Sequence, residues 1–297
     1  MTNYGVSSID ELIQKKLKEY GLHYTGNPFT TALYPGQFQA ENITGMHWYT
    51  YISGVLHNRT DTLAFPEQTA AFIIFGKDTD GDGVYDVVYA KNATSGQIQY
   101  GGEWDAGGVD GTNATAVMQA AINALTSGGS IFIKSGWYQI TGLTIDTPTI
   151  SPPSRAVEIF GEGSATVLEK VTDSPAYAIG IENEAEKIII RDLTIYANPS
   201  SGSAYCIKGQ QIYECTFFNL NLWGKANNDN QVAIRIMDNS HWNRIIACNI
   251  RRIQVGIWLD STGLGYPNGN FISDVFFNNV MNGIIVEGDG NSIRDIK

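Results

Sequence analysis

Asn243-Arg244-Ile245-Ile246-Ala247-Cys248-Asn249-Ile250 can be laid over Asn270-Phe271-Ile272-Ser273-Asp274-Val275-Phe276-Phe277, and the match carries on downstream. With Asn243 set on Asn270, Ile245 falls on Ile272, Ile250 on Phe277, Gly256 on Gly283, Ile257 on Ile284 and Leu259 on Val286. The unit continues into Asn291 and Ile293, and Ile188 to Ile195 and Ile212 to Leu222 show the same brief alternating strands. A repeat of roughly two dozen residues with several short β-branched runs and no helix fits one rung of a parallel solenoid. A single rung cannot bury its apolar side, so the rungs must stack.

Upstream of the repeat the texture changes twice. Thr112 is expected to cap a helix running to about Leu125, with Val117, Ala120, Ala121 and Ala124 as its apolar stripe and Gly128-Gly129 as its stop. Before it, Ala71 to Phe75, Val84 to Ala90 and Gln97 to Tyr100 alternate like strands between Asp/Gly and Asn/Gly turns, which predicts a small antiparallel meander. Ser8 to Tyr20 has apolar residues at helical spacing, a Ser8/Glu11 capping box and Gly21 as terminator, the pattern of a short amphipathic helix. The aromatic-rich stretch from His23 to Gln68 has no dominant period and implies no particular fold. The expected organisation is therefore 1–68, an amino-terminal helix and aromatic segment; 69–109, a small β domain; and 110–297, the solenoid. Asn291 to Lys297 opens a further rung without completing it, so the carboxyl end is expected to be truncated or covered.

Asn113 to Leu125, followed by Gly128-Gly129-Ser130-Ile131-Phe132-Ile133-Lys134-Ser135-Gly136-Trp137-Tyr138-Gln139-Ile140, resembles the opening of the pectate-lyase-like right-handed parallel β-helix superfamily. There a short helix plugs the first coil and a Gly-Gly strand pair follows. The resemblance covers roughly Asp110 to Lys297 and implies a mainly β, right-handed parallel β-helix with an amino-terminal capping helix. It implies fold more than activity, because the superfamily includes pectin-degrading enzymes, tailspikes and non-catalytic surface proteins. Tailspike-like members are commonly trimers, so the resemblance also implies a homotrimer. The G-H-G motif of polygalacturonases is absent, Arg294-Asp295-Ile296-Lys297 matches their R-I-K motif only superficially, and the coils lack the Asp cluster of pectate lyases.

With 297 residues, 43% hydrophobic and 16% charged, the chain has the composition of a packed globular protein. The formal net charge of -11 disfavours nucleic acid as a partner. No apolar run is long enough to span a bilayer, so membrane insertion is not expected. Met1 to Glu19 has no signal peptide, which leaves a virion component or a protein whose leader was removed. Cys206, Cys215 and Cys248 form no disulfide framework or zinc motif and read as small apolar fillers.

Two constellations could carry chemistry. In Asp78-Thr79-Asp80-Gly81-Asp82-Gly83-Val84-Tyr85-Asp86, carboxylates at Asp78, Asp80, Asp82 and Asp86 and the Val84 carbonyl could wrap a structural calcium ion. Tyr89 stands where an EF-hand needs Glu, and the loop instead resembles those of dockerins and integrin-type propeller blades. The repeat register also places Asp260 and Glu287 outward on adjacent rungs, about 4.8 Å apart at their backbones. Extending the frame back, with Ala233 equivalent to Gly256, sets Arg235 beside Trp258. Paired carboxylates at about 5 Å are the geometry of retaining glycosidases, and an exposed indole gives a sugar ring a surface to stack on.

Asp274 and Asp295 align as turn residues, the Asn residues after Tyr205 could form ladders, and His23, His47, His57 and His241 lack metal-ligand spacing. Asn42, Asn58, Asn92 and Asn113 head glycosylation sequons, which matter only in an exported protein. The reading is an extracellular or virion-surface recognition protein that binds a polysaccharide or cell-surface glycan. Its rivals are a lyase or glycoside hydrolase acting through Asp260, Glu287 and Arg235, and a structural filament or sheath subunit.

Overall fold

The computed structural model describes the backbone of residues 37–42, 45–52 and 55–58, and residues 70–146, 156–199, 204–225 and 231–297 with their side chains. The chain divides into two compact units, Met1–Phe65 and Pro66–Lys297. In the first, Gln37–Asn42, Gly45–Ile52 and Val55–Asn58 form an antiparallel meander, with Gln37 opposite Thr50 and Tyr49 opposite Asn58. The helix expected over Ser8 to Tyr20 lies outside the described residues.

The second unit is a parallel β-solenoid with three faces. The first face is built from Gly129–Ile133, Val157–Phe160, 188–191, 216–218, Arg244–Ile246, Phe271–Ser273 and Ser292–Arg294. The second rises from Gly136–Ile140 through Thr166–Lys170 and the third from Leu143–Asp146 through Tyr177–Glu182. Side chains alternate in and out along each strand, so every inward position makes a vertical column. On the first face Ile131, Ile159, Ile190, Phe217, Ile245 and Ile272 stack in order. Tyr138, Leu168, Ile195, Leu222 and Ile250 do so on the second. Leu143, Ile179, Ile207, Ile234 and Ile257 follow on the third, with Ile284 directly over Ile257. All of these except Ile284 are buried, each worth about 1.5–3 kcal/mol of transfer free energy. Cys206, Cys215 and Cys248 sit among them as free thiols, and burial pushes all three up to about 12.

A single left-handed residue turns the chain from the first face to the second. Asp192, Asn219, Ala247, Asp274 and Asp295 occupy equivalent corners with φ of 54°, 50°, 55°, 55° and 54°. Asn and Asp tolerate this conformation best among residues with a Cβ, which is why the corner column favours them. Inside the preceding corner an Asn ladder forms. Asn270 Oδ1 accepts from the Asn243 backbone N–H at 3.0 Å and from Asn243 Nδ2 at 2.9 Å, while Asn291 Oδ1 serves Asn270 in the same way at 3.0 Å for both. Asn243 Oδ1 in turn accepts from Cys215 N at 3.0 Å.

The lower edge of the first coil is closed by three devices. Phe72, Ile73 and Ile74 pair in parallel with Ile131, Phe132 and Ile133. Phe72–Lys77 is also the first strand of an antiparallel meander with Val87–Asn92 and Ile98–Gly101, so the stretch expected as a separate small β domain shares a sheet with the solenoid. Tyr85 donates its N–H to Trp137 O at 2.9 Å and its hydroxyl to Ser135 O at 2.9 Å under the second strand. The helix Ala114–Asn123 covers the third, its Gln119 side chain donating to Thr144 O and accepting from Thr144 N, both at 2.8 Å. This helix is capped by Asn113, whose Oδ1 accepts from Ala116 N at 3.0 Å. Thr112, the cap expected from the sequence, instead donates to Asp110 Oδ1, because the chain enters the helix one residue later.

The ladder gives a direct test of the stacking. Asn270→Ala leaves the buried Asn243 N–H without an acceptor and removes one of the two Asn243 Nδ2 bonds, the other going to Ile212 O, and is expected to cost about 2–4 kcal/mol. The melting temperature should fall clearly further than for Asn291→Ala, at the end of the ladder.

Candidate functional site

On the third face Lys208, Arg235, Trp258 and Ile285 occupy one outward column. Arg235 is held from every side. Its Nε donates to Asp260 Oδ2 at 2.9 Å, Nη2 donates to the same oxygen, and Nη1 donates to the Tyr205 hydroxyl at 2.9 Å. The guanidinium lies 4.5 Å from the Trp258 ring centroid and 5.4 Å from that of Tyr205. The cluster is a closed rivet rather than an open cleft: the Asp260 side chain is only 7% exposed and its Oδ2 is engaged by Arg235. Glu287, one rung on, is exposed, with its N–H bonded to Leu259 O at 2.8 Å. The acid pair thus shares a register position but not an environment.

The loop before the solenoid brings carboxylate oxygens of Asp78, Asp80 and Asp86 within 4.8 Å of one another. The chain is bent back on itself there. Asp78 accepts from Gly81 N at 2.7 Å and Gly83 N at 2.9 Å, and Asp86 Oδ2 accepts from Thr79 N at 2.7 Å and from the Thr79 hydroxyl. The Thr79 hydroxyl, then its N–H, hold the Asp86 carboxyl below the usual range. Asp82 stands outside the group, its Oδ1 accepting from Val84 N at 2.8 Å. Three clustered oxygen donors suit a hard cation such as calcium.

The second face carries a trough of about 480 Å³ lined by Trp137, Tyr196, Trp223, Lys225, Arg251 and Arg252. Glu169, Tyr196, Trp223 and Arg251 lie at one outward position on successive rungs. Trp137 meets Tyr196 edge to face at 6.3 Å, and the Arg251 guanidinium lies 3.9 Å from the Trp223 ring centroid. Beneath them Glu169 is 6% exposed and fully engaged: Oε2 accepts from Trp137 Nε1 at 2.8 Å and Gln139 Nε2 at 3.1 Å, and Oε1 from Asn198 Nδ2 at 2.6 Å. This carboxylate fixes the indole of Trp137. Burial, and then the Glu169 charge, push the Tyr196 phenol up.

The sequence reading does not single out the trough as a site, although Trp137 stands in the Gly-Gly strand pair quoted above. The register used for Arg235 and Trp258, applied one face earlier, would have aligned Tyr196, Trp223 and Arg251. Of the histidines, His241 packs between the Tyr213 and Trp242 rings at 5.8 and 5.7 Å, and the side chains of His23, His47 and His57 lie outside the described residues. The Asn113 sequon is used as a helix cap.

A rivet and an active site respond differently to mutation. Arg235→Met leaves Asp260 buried without its cation and is expected to cost about 3–5 kcal/mol, whereas Arg235→Met with Asp260→Leu regains most of that loss. Thermal melts of the single and double variants measure the difference.

A family model described as the right handed beta helix region matches residues 129–295. No curated protein matches the chain. Among solved structures the chain is similar to ORF18 of Geobacillus virus E2, at 15% identity over 83% of this chain and 54% of that chain, TM-score 0.46. It is similar to the catalytic domain of a GH87 alpha-1,3-glucanase in complex with tetrasaccharides, at 18% identity over 62% of this chain and 43% of that chain, TM-score 0.36. It is also similar to the pectin methylesterase from Aspergillus niger, at 14% identity over 64% of this chain and 83% of that chain, TM-score 0.25. The chain spans about half the length of the first two.

Proposed function

The chain belongs to the right-handed β-helix family, and from that premise we propose that it is an extracellular or virion-surface recognition protein, of tailspike or adhesin type, that binds glycans without cutting them. The observation that carries the reading is the trough on the second face. Trp137, Tyr196 and Trp223, contributed by three different coils, line one open channel. Aromatic rings beside polar groups are what a chain of pyranose rings needs, because each ring offers an apolar face to stack and hydroxyls to hydrogen-bond. The rings are held in place before any ligand arrives: Glu169 grips Trp137, and the coil backbone sets the spacing.

Glycoside hydrolysis would need a pair of free carboxyl groups. Asp260 is engaged by Arg235, and among the described residues no carboxylate lines the trough. These two observations support binding over hydrolysis at the trough. The trough makes Trp223→Ala the informative variant: affinity electrophoresis through gels containing candidate polysaccharides should show retardation of the wild type and its loss in the variant. Reducing-end and size-exclusion assays should show unchanged polymer length after prolonged incubation. Progressive shortening by the wild type, abolished in Asp260→Ala, would overturn the binding-only reading in favour of an enzyme.

We also infer that the Asp78, Asp80 and Asp86 carboxylates hold a structural calcium ion. Their mutual approach within 4.8 Å supports this, since ionised carboxylates at that distance repel unless a cation lies between them. Calcium is expected to raise the melting temperature of the wild type and to give a calorimetric binding signal that Asp80→Ala abolishes. A flat titration of the chelator-treated wild type would end the idea.

A further inference from the structure

The polar chemistry of the trough narrows its ligand further. Resting on the glycan-binding reading above, we propose that the trough selects acidic polysaccharides, with carboxylate-bearing sugars seated against Arg251, Arg252 and Lys225. The chain as a whole carries a formal net charge of -11, so its general field repels polyanions. Against that background the trough gathers three cations, and among the described residues none of them forms an ion pair. Glu169, on the same outward column as Arg251, has both oxygens occupied and is buried.

The donor and acceptor inventory points the same way. Guanidinium, ammonium and indole groups only donate, so among the lining side chains the Tyr196 hydroxyl alone can also accept. A neutral sugar presents hydroxyls that need acceptors as well as donors, and this lining offers few. A uronate presents two oxygens that only accept. Two of the lining residues also carry unmet donors, since Trp223 Nε1 and Arg251 Nε are buried and have no hydrogen-bond acceptor. The Arg251 guanidinium lies 3.9 Å from the Trp223 ring centroid, and the exposed Arg252 and Lys225 line the same trough, where they would draw in an oxyanion.

Each polymer in the test is paired with its own uncharged form. Alginate, polygalacturonate, hyaluronate and a uronic acid-rich capsular polysaccharide are each offered by affinity electrophoresis beside the carboxyl-reduced product, together with a neutral α-glucan and poly-glutamate. The full chain should bind at least one acidic glycan, with affinity falling at least about tenfold on carboxyl reduction and again on raising the salt from about 50 mM to about 500 mM. Lys225→Gln with Arg252→Gln, two exposed positions whose replacement should leave the melting temperature unchanged, should lose about tenfold or more for the acidic polymer. Arg251→Gln should do the same. Equal binding of an acidic polymer and its reduced form overturns charge selection while keeping glycan recognition. Failure to bind any polymer, acidic or neutral, removes glycan recognition itself. Equal binding of poly-glutamate shows a bare charge effect and overturns the sugar-stacking part, and undiminished affinity in the variants removes this trough as the site.

Discussion

The vertical register of one coil on the next is the constraint from which the other features follow. Parallel strands paired residue for residue fix about 4.8 Å between coils, and every inward position is then repeated directly above itself. An apolar side chain is buried only by its equivalents above and below, so Ile234, Ile257 and Ile284 support one another rather than a distant core. The polar corner obeys the same rule. Asn243, Asn270 and Asn291 satisfy each other because they stand in line, and a shift of one residue would leave every one of them orphaned. The same repetition outside the shaft turns isolated side chains into columns, so the outer surface of this fold is organised in rows.

A stack defined by its neighbours has a problem at its ends, where a coil has no partner. Below the first coil the protein meets each of the three exposed strands with a different donor and acceptor set: a β-strand under Gly129–Ile133, Tyr85 under Gly136–Ile140, and Gln119 under Leu143–Asp146. Close packing comes with it. A Cβ on Gly136, at φ 143°, would lie 2.0 Å from the Tyr85 ring, so the tyrosine reaches the strand only because that residue is glycine. The helix does more than plug the shaft, since its glutamine supplies the hydrogen bonds a neighbouring strand would have made.

Periodicity made the stack readable from sequence, and what periodicity does not encode was missed. Equivalence of Ile257 with Ile284 and of Arg235 with Trp258 followed from one alignment, because register alone determines them. The left-handed corner at Asp274 and Asp295 was equally legible, since side-chain type reports the backbone there. The fate of Asp260 was not. Whether an outward carboxylate faces water or a guanidinium depends on side-chain rotamers two rungs wide, and spacing is silent on those. The trough escaped for a different reason: its members come from three faces' worth of intervening chain, and Trp137 stands one outward position away from the column of Tyr196 and Trp223, so no short motif marks it. The cap at Asn113 rather than Thr112 turned on a single residue of helix entry, below what composition can place.

The protein uses the same device twice on its outer surface, an arginine laid on a tryptophan, and the contrast between the two separates structure from function. On the third face Arg235 lies 4.5 Å from the Trp258 ring and finds Asp260 and Tyr205 as well, so its charge is compensated and its donors are engaged. The arginine has no charge left for an anionic ligand to neutralise, and the cluster braces adjacent coils. On the second face Arg251 lies closer, 3.9 Å from Trp223, yet no carboxylate joins it, Glu169 having been committed to Trp137. The desolvation of Arg251 is thus only partly offset by the ring, and the deficit is of the kind an incoming oxyanion removes. Trp258 Nε1 on the third face is buried without an acceptor just as Trp223 Nε1 is on the second, so the two faces differ in their uncompensated charge rather than in their indole donors. That difference in charge, beside the ring-lined trough, is why the proposed glycan recognition is assigned to the second face rather than the third.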